Sequence, residues 1–278
     1  MRIAFLLTCH PPTRPSPIFP EVVRLLRERG AHVDLVYPDE RPTDLRELRV
    51  EHDLYVLKSG SETSLSLAGA LHALGAAILN PYPATAMCRD KIVASRMLDE
   101  AGVPAPPSYV VSHPQQLSPL LEEGPLVVKP YRGSQGRGVR IVHRVSELVE
   151  DGDDGGGPLL AQRYLQPEGR DRKIYRIGDD VFGVERVWPA RTYEEKQGRP
   201  FTVPRELREI AYRCGSALGL SLFGFDVVIS EGRPYVVDIS SFPGFKGVPN
   251  AAAHLADYIE RAAERVTRGE QLLEAPRT

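Results

Sequence analysis

The sequence predicts an α/β protein with a parallel-sheet domain at its N-terminus. Three observations carry the expectation. Strand-like and helix-like runs alternate from Met1 to about Leu79, the pattern of a parallel sheet flanked by helices. Two breaks then divide the remainder, Asn80-Pro81-Tyr82-Pro83 and the glycine- and aspartate-rich run 151–157. Finally, a strand pair near the C-terminus carries one acidic residue per strand, Asp226 and Asp238. The breaks set the expected domains at residues 1–80, 81–157 and 158–278.

In the first segment Ile3–Leu7, Val33–Tyr37, Leu54–Leu57 and Ala77–Leu79 read as strands, because each is a short apolar run bounded by polar residues. Phe19–Arg29 and Ser64–Leu74 place apolar residues at helical spacing. Arg89–Ala101 reads as an amphipathic helix stopped by Gly102 and Pro104. Strands are expected at Pro125–Lys129 and Val139–Val142, with a helix near Val145–Glu150. Beyond the second break, strands are expected at Leu159–Arg163, Lys173–Ile177 and Val181–Arg186, then a helix from about Pro204 to Leu218. The acidic strands, Phe225–Ser230 and Tyr235–Ile239, are joined by Glu231-Gly232-Arg233-Pro234, and a helix from about Ala251 to Val266 closes the chain.

Composition narrows the function classes. A 278-residue chain with 42% hydrophobic residues, 26% charged residues and a net charge of −2 is an ordinary globular protein. No basic excess points to nucleic acid, and no apolar run reaches membrane-span length. The first residues read as a buried strand rather than a signal peptide. Cys9, Cys88 and Cys214 are odd in number and widely spaced, so they fit neither a disulfide framework nor a zinc site. A reducing cytoplasm is the expected setting, and nothing in the sequence sets an oligomeric state.

The acidic strands carry the first chemical signal. A carboxylate within an apolar strand is costly unless paired, and two on neighbouring strands repel. Either both are solvated edge residues, or a divalent cation such as Mg²⁺ satisfies them. Lys129 supplies the second signal, since it ends the strand Leu126-Val127-Val128-Lys129 just before Gly133-Ser134-Gln135-Gly136-Arg137-Gly138. Three glycines let backbone N–H groups approach an anion, and Ser134 adds a hydroxyl. Such a segment is either a plain hairpin turn or a turn that closes over phosphates. It is not a Walker loop, which needs Gly-Lys-Ser/Thr at a helix start.

In order, Asp90-Lys91, the lysine strand, the glycine-rich turn, Gln162-Arg163-Tyr164, Gly169–Tyr175 and the two-aspartate hairpin resemble the ATP-grasp superfamily from about Asn80 onward. The resemblance implies an ATP-grasp fold, an N-terminal parallel-sheet α/β domain followed by a two-lobed ATP-binding region. It implies that Lys91 and Lys129 contact ATP phosphates, that Gly133, Ser134, Gly136 and Gly138 belong to a lid, and that Gln162, Arg163 and Tyr164 lie where a hinge meets adenine. Asp226, Asp238 and Ser240 would hold Mg²⁺, with Ser240 standing where the family pattern has Asn.

Two branches compete. The lid GSQGRGV and the phrase Glu168-Gly169-Arg170-Asp171 resemble RimK-like carboxylate–amine ligases, which pass through an acyl phosphate, and Arg186 and Lys173 are then the catalytic cations. Lys173 stands where those ligases carry Arg, and the segment Trp188–Gly198 departs from their pattern. Asp53–Lys58, Ser221–Asp226 and Asp238–Phe245 resemble inositol-phosphate kinases, for which Lys58, Lys173, Arg186 and Arg14 would form a basic pocket. The glycine-rich lid and balanced charge favour the ligase, acting on a small molecule or peptide. A nucleotide-binding protein without turnover is the third reading, prompted by Ser240.

Overall fold

The computed structural model describes residues 1–8, 18–133, 136–148, 157–187, 192, 195 and 197–272.

The first sheet comprises β1 (Arg2–Leu7), β2 (His32–Val36), β3 (Leu54–Lys58) and β4 (Ile78–Leu79), all parallel in the order β2-β1-β3-β4. Alternate residues of β1 go to opposite faces, so both faces are buried, as a parallel sheet requires. Ala4 and Leu6 pack with Leu65, Ala68 and Leu71 of α2 (Glu62–Ala73). Ile3 and Phe5 pack with Val22, Val23 and Leu26 of α1 (Ile18–Glu28).

Two helices follow where one was expected, α3 (Tyr82–Arg89) and α4 (Lys91–Glu100). The proline pair, which follows the last strand of the first sheet, also begins a helix, because proline in the first turn lacks an N–H that the helix would leave unused. Asp90 ends α3 and caps α4, its carboxylate accepting from the Ile92 and Val93 N–H groups.

The second sheet is antiparallel in the order β5-β8-β6-β7, made from β5 (Ser108–Val111), β6 (Leu126–Pro130), β7 (Arg140–Val142) and β8 (Leu159–Arg163). The short helix α5 (Ser118–Leu121) closes its core beside Leu117, Val128 and Ala161. β5 had no sequence expectation. The helix expected near Val145–Glu150 is a 3-10 turn over Val145–Glu147, with residues 149 and 150 outside the described set. The glycine-rich connector lies outside it too, except Gly157.

The third sheet is antiparallel in the order β11-β10-β9-β12-β13, formed by β9 (Asp171–Ile177), β10 (Asp180–Arg186), β11 (Arg199–Phe201), β12 (Leu222–Ser230) and β13 (Arg233–Ser241). β12 and β13 turn at Glu231-Gly232, both with positive φ, a two-residue hairpin tighter than the expected four-residue turn. One face packs on α6 (Arg205–Leu218) through Phe223, Phe225, Ile210 and Cys214. Tyr175, Leu222 and Phe245 instead join the core beneath β1. The last helix, α7 (Ala251–Thr267), adds Leu255, Ile259 and Ala263 to that core. The break at residue 80 thus separates sheets, while one apolar core runs across it. No helix among the described residues is long and apolar enough to cross a membrane.

Asn80 fastens this junction. Its buried side chain accepts from the Ser221 and Leu222 N–H groups at 3.1 and 3.0 Å and donates to the Leu222 carbonyl at 2.7 Å. Asn80→Ala leaves those backbone groups unsatisfied, and the expected loss is about 2–4 kcal/mol by urea unfolding. A loss below about 1 kcal/mol would show that the junction holds without them.

Candidate active site

The antiparallel register brings three charged residues into one row across the third sheet. Lys173 of β9 lies opposite Asp226 of β12, and Asp226 lies opposite Asp238 of β13. Opposed residues project to the same face. The Asp226 carboxylate accepts from Lys173 Nζ at 2.9 Å and from Arg186 at 2.6 Å, the latter reaching over from β10. Burial raises the Asp226 carboxyl, but Lys173 and Arg186 together outweigh it and hold the group below the usual range.

The ladder shifts register beside this row, so that Asp226 pairs with Asp238 while Val227 pairs with Val236. Val237 is the extra residue of a β-bulge. Its carbonyl accepts from Lys129 Nζ at 2.8 Å, and Gln162 Oε1 accepts from the same ammonium at 2.6 Å. The bulge therefore ties the second sheet to the acidic strand. Burial lowers Lys129, with the Asp238 charge opposing. Gln162 in turn donates to Ser108 Oγ at 3.1 Å, which gives β5 a place in the site.

Residues of the second sheet alternate about this point. Leu126, Val128 and Ala161 fill its own core. Val127, Lys129, Leu160 and Gln162 alternate with them and so face the other way. Leu160, Lys129 and Gln162 line a cleft against Val236, Asp238 and Ile239, with Cys88 and Lys91 along the same wall. Farther out on that face, Val110 is 55% and Ile141 47% exposed. An apolar sheet face beside a buried lysine suits a flat base attached to an anionic group.

Lys91, the first residue of α4, reaches Gly133 O at 2.9 Å and Asp238 at 3.8 Å. Gly136 and Gly138 adopt positive φ, the conformation glycine permits, and Val139 N–H donates to Gly136 O. Ser134 lies outside the described residues. The structure does not bring the Arg163 side chain into the cleft. Its guanidinium donates to Leu120 O and Gly124 O, pairs with Glu123 and stacks on Tyr109. The backbone N–H groups of Arg163 and Tyr164 are taken by Pro107 O and Pro125 O, and the Tyr164 ring packs by His143.

Cys88 and Cys214 are free, buried thiols whose pKa burial pushes up to about 12, which makes them inert at neutral pH. Cys9 lies outside the described residues. For a divalent cation, no group of three or more His, Cys, Asp or Glu side chains is gathered among the described residues. The two opposed carboxylates still fit Mg²⁺, which takes one or two carboxylates and completes its shell with phosphate oxygens. Ser240 follows Asp238 by two residues, so it shares that face, and its hydroxyl donates to Gly224 O at 3.3 Å.

Asp171, at the start of β9 and opposite Arg186, had no assigned role in the sequence reading beyond its motif. Burial and the Asp226 charge push its carboxyl up to about 6, against the pull of Arg186. A raised carboxyl favours folding when protonated, so this group costs stability as pH rises from about 4 through 6. Asp171→Asn is expected to stabilise the metal-free protein by about 2–3 kcal/mol at pH 8 and by little near pH 4, read by urea unfolding at both pH values. Equal effects at both would refute the pH dependence.

This three-sheet architecture is the ATP-grasp fold. Among solved structures it is similar to a RimK domain ATP-grasp protein from Sphaerobacter thermophilus, with a TM-score of 0.73, 18% identity, and 94% of this chain and 100% of that one covered. It is also similar to D-alanine–D-alanine ligase from Bacillus anthracis in complex with ATP, with a TM-score of 0.72, 18% identity, and 97% and 99% covered. The RimK-like ATP-grasp domain matches residues 88–259, more than half of the 278 residues. A probable alpha-L-glutamate ligase of Citrobacter koseri is 30% identical over 209 residues, covering 68% of this chain and 69% of the relative. The ribosomal protein bS6–L-glutamate ligase of Escherichia fergusonii is 28% identical over 208 residues, covering 68% and 69%. The chain belongs to the RimK-like ATP-grasp family, and it is an enzyme of that ligase class.

Proposed function

We propose that this protein is a Mg-ATP-dependent carboxylate–amine ligase acting through an acyl phosphate on a small molecule or peptide. The observation that carries the reading is a cleft lined by Lys91, Lys129 and Asp238, with Asp238 paired to Asp226, whose carboxylate Lys173 and Arg186 hold. ATP would lie with its base against the apolar face of the second sheet and its phosphates toward Lys129 and Lys91. Asp226 and Asp238 would hold Mg²⁺, which supplies charge neutralisation at the phosphates. A cytoplasmic setting accords with the free thiols.

The acceptor carboxylate oxygen attacks the γ-phosphorus, and the bond to the β-phosphate oxygen breaks, releasing ADP. The amine then attacks the acyl carbon, and inorganic phosphate leaves as the amide forms. Arg186 and Lys173 would orient the acceptor carboxylate and stabilise the charge that builds on it. Phosphoryl transfer of this kind depends on positioning and charge more than on covalent help from the protein. Relatives named glutamate ligases support an amino acid as the amine, whereas Lys173 in place of the expected Arg argues against assigning glutamate itself.

Asp238→Ala is expected to abolish ADP production while leaving the melting temperature near that of wild type. Wild-type turnover in that variant would remove the metal assignment. Arg186→Gln is expected to lower kcat by about 10²–10³-fold, the range for losing one preorganised charge partner. Hydroxylamine trapping during turnover should give a hydroxamate. A stable phosphorylated alcohol in its place would instead establish a kinase, and ATP binding with no ADP across broad acceptor panels would establish a non-catalytic binder.

A further inference from the structure

Lys129 is held by a directed chain of hydrogen bonds that runs across the second sheet into β5. A lysine ammonium carries three donors and no acceptor. One donor goes to Gln162 Oε1 at 2.6 Å and another to Val237 O at 2.8 Å. Both acceptors are neutral, and Lys129 makes no ion pair among the described residues. Two carbonyl-type oxygens fix the ammonium without neutralising it, so its charge stays available to an anion in the cleft.

The next link is set by strand register. Ser108 of β5 lies directly opposite Gln162 of β8, so the two side chains share a face. Only the oxygen end of the Gln162 amide can accept from a lysine, and its NH₂ end needs an acceptor elsewhere. Ser108 Oγ is that acceptor at 3.1 Å. The Ser108 hydroxyl gives its own proton to Pro106 O at 2.9 Å, which leaves lone pairs facing Gln162. Every link from Lys129 to Pro106 therefore donates in one sense, and aligned bonds of this kind polarise and strengthen one another. The chain ends on a stiff backbone, because the rings of Pro106 and Pro107 lock φ there. Gln162 and Lys129 are buried and line the cleft, whereas Ser108 is exposed and stands outside that lining.

We propose that Ser108 is a positioning residue for the nucleotide phosphates, holding the Lys129 ammonium in place through the Gln162 amide while one ammonium donor is left for the phosphate. The proposal rests on the placement of the ATP phosphates at Lys129 in the ligase reading, and adds to it a residue that acts without touching the nucleotide. A water molecule in place of the hydroxyl could accept from Gln162, but it is not fixed to the backbone and would hold the amide less firmly. Loss of Ser108 therefore weakens the grip on phosphates and leaves the base-binding face of the sheet as it was.

The test compares a non-hydrolysable ATP analogue with adenosine, each titrated calorimetrically against the full chain in Mg²⁺. Ser108→Ala is expected to weaken the analogue about three- to tenfold, the range for one hydrogen bond, with adenosine affinity and melting temperature near those of wild type. Ser108→Thr keeps a hydroxyl and is expected to stay within about twofold of wild type for both ligands. Equal losses for analogue and adenosine in Ser108→Ala, no loss at all, or a loss in Ser108→Thr as large as in Ser108→Ala, each overturn the proposal. Lys129→Met tests the phosphate placement separately. An analogue affinity lost there but unchanged in Ser108→Ala removes the positioning role alone, and one unchanged in both removes the placement with it. Absence of hydroxamate from wild type, together with a phosphate-selective loss in Ser108→Ala, keeps the positioning role and removes the ligase.

Discussion

The structure depends on placing a carboxylate inside an apolar sheet. Asp226 stands half-buried on β12, with Lys173 opposite on β9 and Arg186 reaching over from β10 as its partners. Charges removed from water need partners in good geometry, and here the strand order β10-β9-β12-β13 supplies them. That order also sets Asp238 opposite Asp226 and leaves Asp171 beside a second acid. The same pairing that makes the sheet possible therefore assembles the groups of the site.

A second constraint fixes how the parts meet. The bulge at Val237 turns a carbonyl out of the ladder and toward Lys129, so the second sheet is bound to the third at the point where phosphates are expected. The first sheet is held by other means. Its lower core is completed by α7 and by Tyr175, Leu222 and Phe245, and Asn80 bonds to the backbone at Ser221 and Leu222. The first and third sheets thus share one continuous packing.

Much of this was legible from the chain. The strands of β1, β3, β8, β12 and β13 stand out because apolar periodicity and turn residues agree there. Lys91, Lys129, Gln162, Lys173, Arg186, Asp226 and Asp238 were named from motif order, and the fold gathers them. Elsewhere the local signal misled. Pro81 and Pro83 follow the end of the first sheet, but they also begin α3, a helix the sequence did not signal, since proline fits a first helical turn. β5 is short and bounded by prolines, and its pairing with β8 decides its state. Arg163, expected where a hinge backbone meets adenine, turns its side chain away from the cleft by alternation along β8, a direction the motif does not carry.

The sequence by itself determined which residue types carry charge, where apolar runs form strands and helices, and in what order the motifs occur. Those properties are local, set by side-chain chemistry and by periods of two and 3.6 residues. The tertiary structure decided which charges compensate one another, because register and strand order bring together residues far apart in the chain. Lys173 and Asp226 meet across 53 positions, and Lys129 meets Val237 across 108. Only that geometry makes Asp226 a compensated anion and raises the Asp171 carboxyl.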